Sequence, residues 1–344
     1  MKVGLVGYAG SGKSTVFQWL TNVAPDPSAQ NRGQVGTTDV PDERLAWLSQ
    51  LFNPRKTTYA KLEVVDTPGL LTTDKKDNPR RLGILREADG LVVVLSGFTG
   101  DPVAELQNFR IELAFADLEI ILGRIHKLEA QMKKPKPAKE READEEEHKL
   151  LQRIATALEA NQSPATLGLS ENQEKQIRSF QLLTLKQQLA LVNIGDSQIG
   201  KPVPDALKQL DATTVAVPVK LELELAELSD ADRTVFMQDL GLTKSYRDET
   251  IRHLFYEMGQ IVFFTVGEDE CRSWPIKGCI PAQQAAGVIH TDLSAGFVRA
   301  EVVAYEDFKR VGSMKEAKNQ GVYRLESKTY IVKDGDIMHI LANK

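Results

Sequence analysis

Apolar residues fall first into short unbroken runs at Val3–Val6, Leu62–Val65, Leu91–Leu95, Leu189–Val192 and Val215–Val219. Runs without alternation suit strands buried on both faces of a parallel sheet. Helical patterns separate most of them, as a doubly wound α/β domain requires. The regularity breaks between about Pro102 and Leu185, where no strand pattern is found. There Leu118, Ile121, Ile125, Leu128 and Met132 alternate in spacing between 3 and 4, the repeat of a coiled-coil seam. A helix from Pro102 to Met132 would be roughly 45 Å long at ~1.5 Å per residue. Lys133-Lys134-Pro135-Lys136-Pro137 then stops it, because proline lacks the N–H and clashes with the preceding turn. The acidic run Glu140–Glu147 leads into a second apolar series at Leu151, Ile154 and Leu158. An antiparallel helical hairpin with a charged tip, inserted into the α/β domain, is the economical arrangement. The charge run reads as a solvated loop, with a contact arm for a partner as the alternative. Ser170 and Gln173 form a capping-box pattern that starts a further helix.

After about Met258 the texture changes. Ile261–Val266, Val298–Ala304, Tyr330–Val332 and Ile337–Leu341 read as strands, Ala282–Ile289 as one short helix, and Lys333-Asp334-Gly335-Asp336 as a turn. These make a small mixed α+β module. The expected division is therefore a first part of the α/β domain at 1–108, the helical insert at 109–184, a second part at 185–258 and the small module at 259–344.

A chain of 344 residues is longer than one core usually organises, so more than one domain fits the length. Hydrophobic residues at 42% and charged residues at 26% are ordinary for a soluble globular protein. No apolar stretch approaches the ~18 residues of a membrane helix, so no membrane partner is expected. Cys271 and Cys279 are too few for a disulfide framework and read as reduced thiols of a cytoplasmic protein. Five scattered histidines without an HxxxH pair argue against a protein-built transition-metal site. A net charge of −5 excludes a wholly basic nucleic-acid footprint but leaves room for a local one.

The chemistry begins at Gly7-Tyr8-Ala9-Gly10-Ser11-Gly12-Lys13-Ser14-Thr15, which follows a strand and opens a helical pattern. This is the full Walker A spacing in its strand–loop–helix setting. The glycines let backbone N–H groups converge on phosphate oxygens, and the helix N-terminus adds partial positive charge. Lys13 would reach the β- and γ-phosphates and Ser14 would ligate Mg²⁺. Next comes Asp66-Thr67-Pro68-Gly69 at the end of a strand. Asp66 can hold the Mg²⁺ shell, and Gly69 can offer an N–H to the γ-phosphate and act as a hinge. Taken alone, that tetrapeptide could be a plain turn. Third in order is Asn193-Ile194-Gly195-Asp196, an Asn with a carboxylate three residues on, placed where G proteins read a purine base. Turn chemistry would explain it equally well in isolation.

In this order, and with a helical insert before the last, the three motifs resemble those of the Obg-like NTPases. Glu112–Glu119, Glu224–Leu228, Phe236–Gly241, Ala285–Asp292 and Tyr330–Asp336 are similar to the YchF subfamily specifically. The resemblance spans essentially the whole chain. It implies a Ras-like P-loop NTPase domain of α/β class with a mostly parallel sheet, an inserted antiparallel helical hairpin, and a C-terminal β-grasp module of TGS type. It further implies hydrolysis of ATP or GTP with Mg²⁺, and binding to the ribosome or ribosomal RNA by a monomer.

Several positions depart from the family pattern or from better-known G proteins. Leu70 stands where Ras-like enzymes carry a water-orienting Gln. A hydrophobic residue there agrees with the YchF pattern and implies slow intrinsic turnover. Ala9-Gly10 replaces the family's Pro-Asn. No Phe-Cys-Thr run is present in the first switch, where Gln30 falls near the Thr position. Thr37 and Thr38 are the substitute candidates, with Thr38 assigned to the metal. A shorter, charged stretch, Thr72–Arg81, replaces the family's glycine-rich one. The base-reading motif ends in Asp196 rather than Glu and has Ile194 in place of a Lys; overall resemblance favours ATP, while Asp196 is the guanine-reading residue. The expected function is a slow NTPase acting as a translation-linked switch. The alternative is a nucleotide-gated ribosome- or RNA-binding protein with negligible hydrolysis, and a small-molecule kinase is a distant third.

Overall fold

The computed structural model describes residues 1–29, 33–71, 78–240 and 245–343. The chain divides into two compact units, one formed by 2–36 and 64–242 and the other by residue 1, 37–63 and 243–344. The segment 37–63 lies inside the first 108 residues of the chain, yet it clusters with the C-terminal residues.

The larger unit is built on a six-stranded sheet. Its strands in chain order are β1 (Lys2–Val6), β2 (Gln34–Asp39), β4 (Lys61–Asp66), β5 (Gly90–Ser96), β6 (Gln187–Asn193) and β7 (Val215–Val217), and the spatial order is β2-β4-β1-β5-β6-β7. The strand β3 (Lys56–Thr58) belongs to a second sheet. The β1/β5, β5/β6 and β6/β7 pairs are parallel, and Asn193 is level with both Ser96 and Val217. Every residue of β5 is buried, as an apolar run between two helical layers should be. The apolar run at Val215–Val219 is shorter as a strand, because Pro218 caps a new helix, Val219–Glu227.

The long helix spans Pro102–Met132. Asp101 caps it by accepting the Val103 N–H, and Pro102 occupies the first turn, where its missing N–H costs nothing. A second helix, Ala138–Glu159, folds back on it. Ile121, Leu128, Leu151 and Ile154 are fully buried in the seam between them. The acidic run 140–147 is therefore part of a helix, not a solvated loop. Cations supply the reason: Arg124 makes a two-pronged ion pair with Glu147 at 2.7 and 2.8 Å, and Lys136 pairs with Asp144. Ser170 caps the helix Glu171–Ile177 through a complete capping box with Gln173.

At the root of the hairpin lies Asp117, fully buried. Its carboxylate accepts from Arg86 at 2.7 Å, from the Leu183 and Thr184 N–H groups at 3.0 and 2.8 Å, and from the Thr184 hydroxyl at 2.8 Å. Such a charge is tolerable in the interior only because it is paired and its oxygens are satisfied.

The second unit carries a mixed sheet in the order β11-β10-β12-β8-β9-β3, with β8 (Gln260–Thr265), β9 (Glu270–Lys277), β10 (Phe297–Ala304), β11 (Arg324–Glu326) and β12 (Asp336–Ala342). Its helix Ala282–Ile289 packs Ala282 and Ala285 into a core with Phe263, Val302 and Met338. Tyr330–Val332 is not a strand. Only an isolated bridge from Ile331 to Pro281 forms, and the Tyr330 hydroxyl instead bonds Asp336 across the turn at 2.8 Å. Trp274 stacks on Phe263 with ring centroids 6.4 Å apart and donates to the Thr265 hydroxyl at 2.9 Å, so it is a packing residue of this core. In the helix Glu43–Phe52, Leu45 and Leu48 are buried, Trp47 meets Tyr305 edge-on at 5.7 Å, and Phe52 stacks on Phe308 at 5.8 Å.

Candidate functional site

The loop after β1 is shaped by three glycines with positive φ. Gly7 has φ +143°, and a Cβ there would lie 2.4 Å from the Val94 carbonyl oxygen. Gly10 has φ +85° and Gly12 φ +91°. Gly12 forms the N-cap of the helix Lys13–Thr21, which has no side-chain cap and no acidic residue in its first turn. The first N–H groups of a helix lack intrahelical partners, so this end presents unfilled donors and an uncompensated partial positive charge.

Lys13 is buried, and its ammonium donates to the Tyr8 carbonyl at 2.7 Å. Burial lowers its pKa from 10.5 to about 8; Asp66 and Glu105 pull it upward and Arg81 pushes it down. At the end of β4, the Asp66 carboxylate accepts the Ser14 hydroxyl at 2.7 Å. Burial raises the pKa of Asp66, opposed by that hydrogen bond and by Lys13. Two buried oxygens here, Asp66 Oδ1 and Ser11 Oγ, have no hydrogen-bond partner among the described residues. Buried polar atoms are rarely left so, and both sit on the cleft-forming loops.

The segment that follows Asp66 is bonded to the phosphate loop in both directions. Leu70 N–H donates to Gly7 and Ala9 N–H donates to Leu70, each at 3.0 Å, while the Thr67 hydroxyl holds the Leu5 carbonyl at 2.6 Å. A Cβ on Gly69 would come within 2.9 Å of Ala9 Cα and of the Lys13 ammonium, so only glycine fits. Leu70 is 2% exposed and packs in the core with Tyr8 and Leu82. Together these loops border a cleft of about 520 Å³ that takes in Gly10, Gly12, Ser14, Thr15, Asp66 and Gly69.

The third motif is joined to the loop from the side. Asn193 Nδ2 donates to the Ser11 carbonyl at 3.3 Å and lies where a Cβ on Gly12 would come within 2.2 Å. Ile194 packs partly buried against the core and donates its N–H to Val217 at 3.0 Å. Asp196 is exposed in a short 3-10 turn, and its carboxylate has no partner among the described residues. None of these three residues lines the cleft. Thr38 is placed elsewhere. Alternation along β2 turns it inward, where it is buried with its hydroxyl 3.4 Å from Arg247, and it does not line the cleft either. Gln30, the other first-switch position, lies outside the described residues, as do residues 72–77 after Leu71 and residue 241.

Two residues that motif reading passed over stand at the site. Glu105, in the first turn of the long helix, accepts the Ser96 N–H at 2.9 Å, and burial raises its pKa while Lys13 lowers it. Arg81 lines the cleft and donates to the Gly69 carbonyl. Neither has a sequence signature; Arg81 sits within the charged stretch that replaces a glycine-rich one.

Comparison with known proteins decides the family. The ribosome-binding ATPase YchF of Bacillus subtilis (strain 168) is 31% identical over 100% of this chain and 99% of its own length. That of Haemophilus ducreyi is 33% identical over 99% of each. The chain belongs to the YchF family. A family model described as "50S ribosome-binding GTPase" matches residues 2–126 of this YchF protein, and the YchF-type GTPase C-terminal model, described as "Protein of unknown function (DUF933)", matches residues 260–343. The Schizosaccharomyces pombe YchF GTPase structure superimposes with a TM-score of 0.84 at 28% identity, over 99% of this chain and 97% of that one. The parallel-sheet G domain and second sheet domain are thus those of a YchF fold. Among the described residues no cluster of three or more His, Cys, Asp or Glu could hold a metal unaided, and no helix is long and apolar enough to cross a membrane.

Proposed function

We propose that this YchF protein binds a purine nucleoside triphosphate with Mg²⁺ at the phosphate loop, ATP in preference to GTP. It hydrolyses that nucleotide slowly to the diphosphate and phosphate, and couples the cycle to ribosome engagement. The observation that carries the reading is the incomplete polar shell around the cleft. Lys13, the uncapped helix end and Asp66 Oδ1 belong to the cleft, and the partners they lack among the described residues are anionic oxygens and a cation.

The donor set suits Mg²⁺, which takes one carboxylate, a hydroxyl, waters and phosphate oxygens rather than an all-protein cage. Ser14 and Asp66 would hold it, with Asp66 Oδ1 free to serve an ordered water or the ion. Bound there, it would neutralise charge on the β- and γ-phosphates.

The remaining work belongs to side chains and backbone of this chain. Lys13 leaves the Tyr8 carbonyl for phosphate oxygens, which restores the charge partner that burial denies it. Gly69 turns its N–H to the γ-phosphate. Because Leu70 is bonded to Gly7 and Ala9, a shift at Gly69 is passed into the phosphate loop. The Leu70 side chain is buried and has no polar atom, so it orients no water, and turnover is slow. Ribosome engagement is proposed from relatives that bear the name ribosome-binding ATPase.

A second reading is favoured by one feature. Asp196, exposed in the turn after β6 and without a side-chain partner among the described residues, could accept two hydrogen bonds from guanine. The test is equilibrium binding of Mg-ATP and Mg-GTP to the wild type and to Asp196→Glu, with phosphate release measured with and without ribosomes. Tighter ATP binding by the wild type supports the first reading. GTP preference that moves toward ATP in the variant supports the second. No phosphate release under any condition removes hydrolysis from both.

A further inference from the structure

Several arginines of this protein are matched by carboxylates. Arg86 pairs with Asp117, Arg124 with Glu147, and Arg44 with Asp42 and Asp334. Arg81 is different. It stands half-buried on the cleft wall in the helix Asn78–Gly83, and its only partner among the described residues is the Gly69 carbonyl. That bond occupies one of its five N–H donors. It also stands close enough to Lys13 to disfavour the lysine's charge. Asp66 and Glu105 act on Lys13 more strongly than Arg81 does, so the lysine has countercharge nearby, whereas Arg81 has no carboxylate partner among the described residues and is the cation an incoming anion would complete. A Cβ built on Gly69 would lie 2.9 Å from the Lys13 ammonium, so Gly69, Lys13 and Arg81 share one end of the cleft, which on the nucleotide reading is the γ-phosphate end.

We propose that Arg81 is an arginine supplied in cis to the γ-phosphate, which it holds through the donors left free by Gly69. It stabilises the charge that spreads over the γ-phosphoryl oxygens during hydrolysis. In that step a water oxygen forms a bond to the γ-phosphorus, and the bond from the γ-phosphorus to the bridging oxygen breaks. The bridging oxygen keeps the electron pair and leaves on the diphosphate, and the water's proton passes to the released phosphate. Arg81 gives and takes no proton, since guanidinium stays charged. Its bond to the Gly69 carbonyl also ties its position to the peptide expected to move with the γ-phosphate. The assignment rests on the nucleotide reading above, and it explains what replaces a polar side chain at the buried Leu70.

The experiment compares wild type, Arg81→Ala, Arg81→Lys and Arg80→Ala in the full chain. Arg80 is an exposed neighbour on the same helix and serves as the control. Two quantities are read: phosphate release from Mg-ATP and Mg-GTP, and the ratio of affinities for a non-hydrolysable triphosphate and the diphosphate. Arg81→Ala should lower kcat by about 10²- to 10³-fold, as loss of one preorganised donor to developing charge does, and lower that ratio by about tenfold or more, with diphosphate affinity kept within about threefold. Arg81→Lys should not restore kcat, because a point charge lacks the planar fork, and Arg80→Ala should behave as wild type. Unchanged kcat and ratio in Arg81→Ala, or diphosphate affinity falling in parallel, would overturn the proposal and leave Arg81 a structural clamp on Gly69. A wild type that binds both nucleotides without releasing phosphate, while Arg81→Ala loses the triphosphate preference, would sink hydrolysis but keep Arg81 on the γ-phosphate. A wild type that binds neither nucleotide would sink both.

Discussion

Lys13 makes the acid–base behaviour of the site measurable. Burial lowers its pKa from 10.5 to about 8, which corresponds to about 3 kcal/mol at roughly 1.4 kcal/mol per pH unit. The sign follows from proton counts. Between pH 8 and 10.5 the unfolded chain keeps a proton on this amine that the folded chain has lost, so stability rises with pH across that window. The cost of burying the charge is fully present below about pH 8. A bound triphosphate supplies the missing anion and returns the amine toward its ordinary value, so binding takes up a proton above pH 8. Affinity should be flat from about pH 7 to 8 and then weaken by up to about tenfold per pH unit. Lys13→Met should flatten the profile. It should also stabilise the nucleotide-free protein at about pH 7 by roughly 1–3 kcal/mol, less than the full amount because the bond to Tyr8 is lost. Calorimetric titration across pH in buffers of different ionisation enthalpy reads the proton uptake, and urea unfolding reads the stability. A wild-type affinity that stays level to pH 10, or a slope that survives in Lys13→Met, would refute the reasoning.

Two further predictions concern other parts of the same unit. Asp117→Ala should cost about 3–5 kcal/mol, because it removes the charge partner of the half-buried Arg86 and leaves two backbone N–H groups unpaired; Asp117→Asn should cost less, and urea midpoints with unchanged m-values check both. Gly12→Ala should abolish nucleotide binding, since the added Cβ would fall 2.2 Å from Asn193 Nδ2 at φ +91°. Adding Asn193→Ala to that variant should recover folding stability but not full affinity, as judged by thermal unfolding with and without nucleotide.

What sequence reading recovered was the chemistry contained in contiguous residues. The loop from Gly7 to Thr15 is one local object, with its glycines, lysine and helix start in a fixed spacing, so its geometry follows from local rules. The long helix and its seam were legible from Leu118 to Met132 for the same reason. Arg81 and Glu105 were not, because each reaches the site only through tertiary packing that no spacing encodes. The helix through the acidic run depended on Arg124 and Lys136, which supply countercharge from outside that run. The strand β9 was hidden because Arg272, Ser273 and Pro275 dilute its apolar alternation, although Cys271 and Ile276 are buried on it. The pairing of Lys56 with Glu270 joins positions far apart in sequence, which is why the allegiance of 37–63 could not be read.

That allegiance sets an order of events when the chain is made. The segment with Leu45, Trp47, Leu48 and Phe52 leaves the synthetic machinery well before its ring partners Tyr305 and Phe308 and its strand partner β9. Until then an amphipathic helix with two aromatic side chains has no native surface to cover, and such transient apolar exposure invites chaperones or misassembly. A nascent chain stalled before residue 243 would carry its complete phosphate loop and still display that unpaired segment, so nucleotide binding could precede the finish of folding.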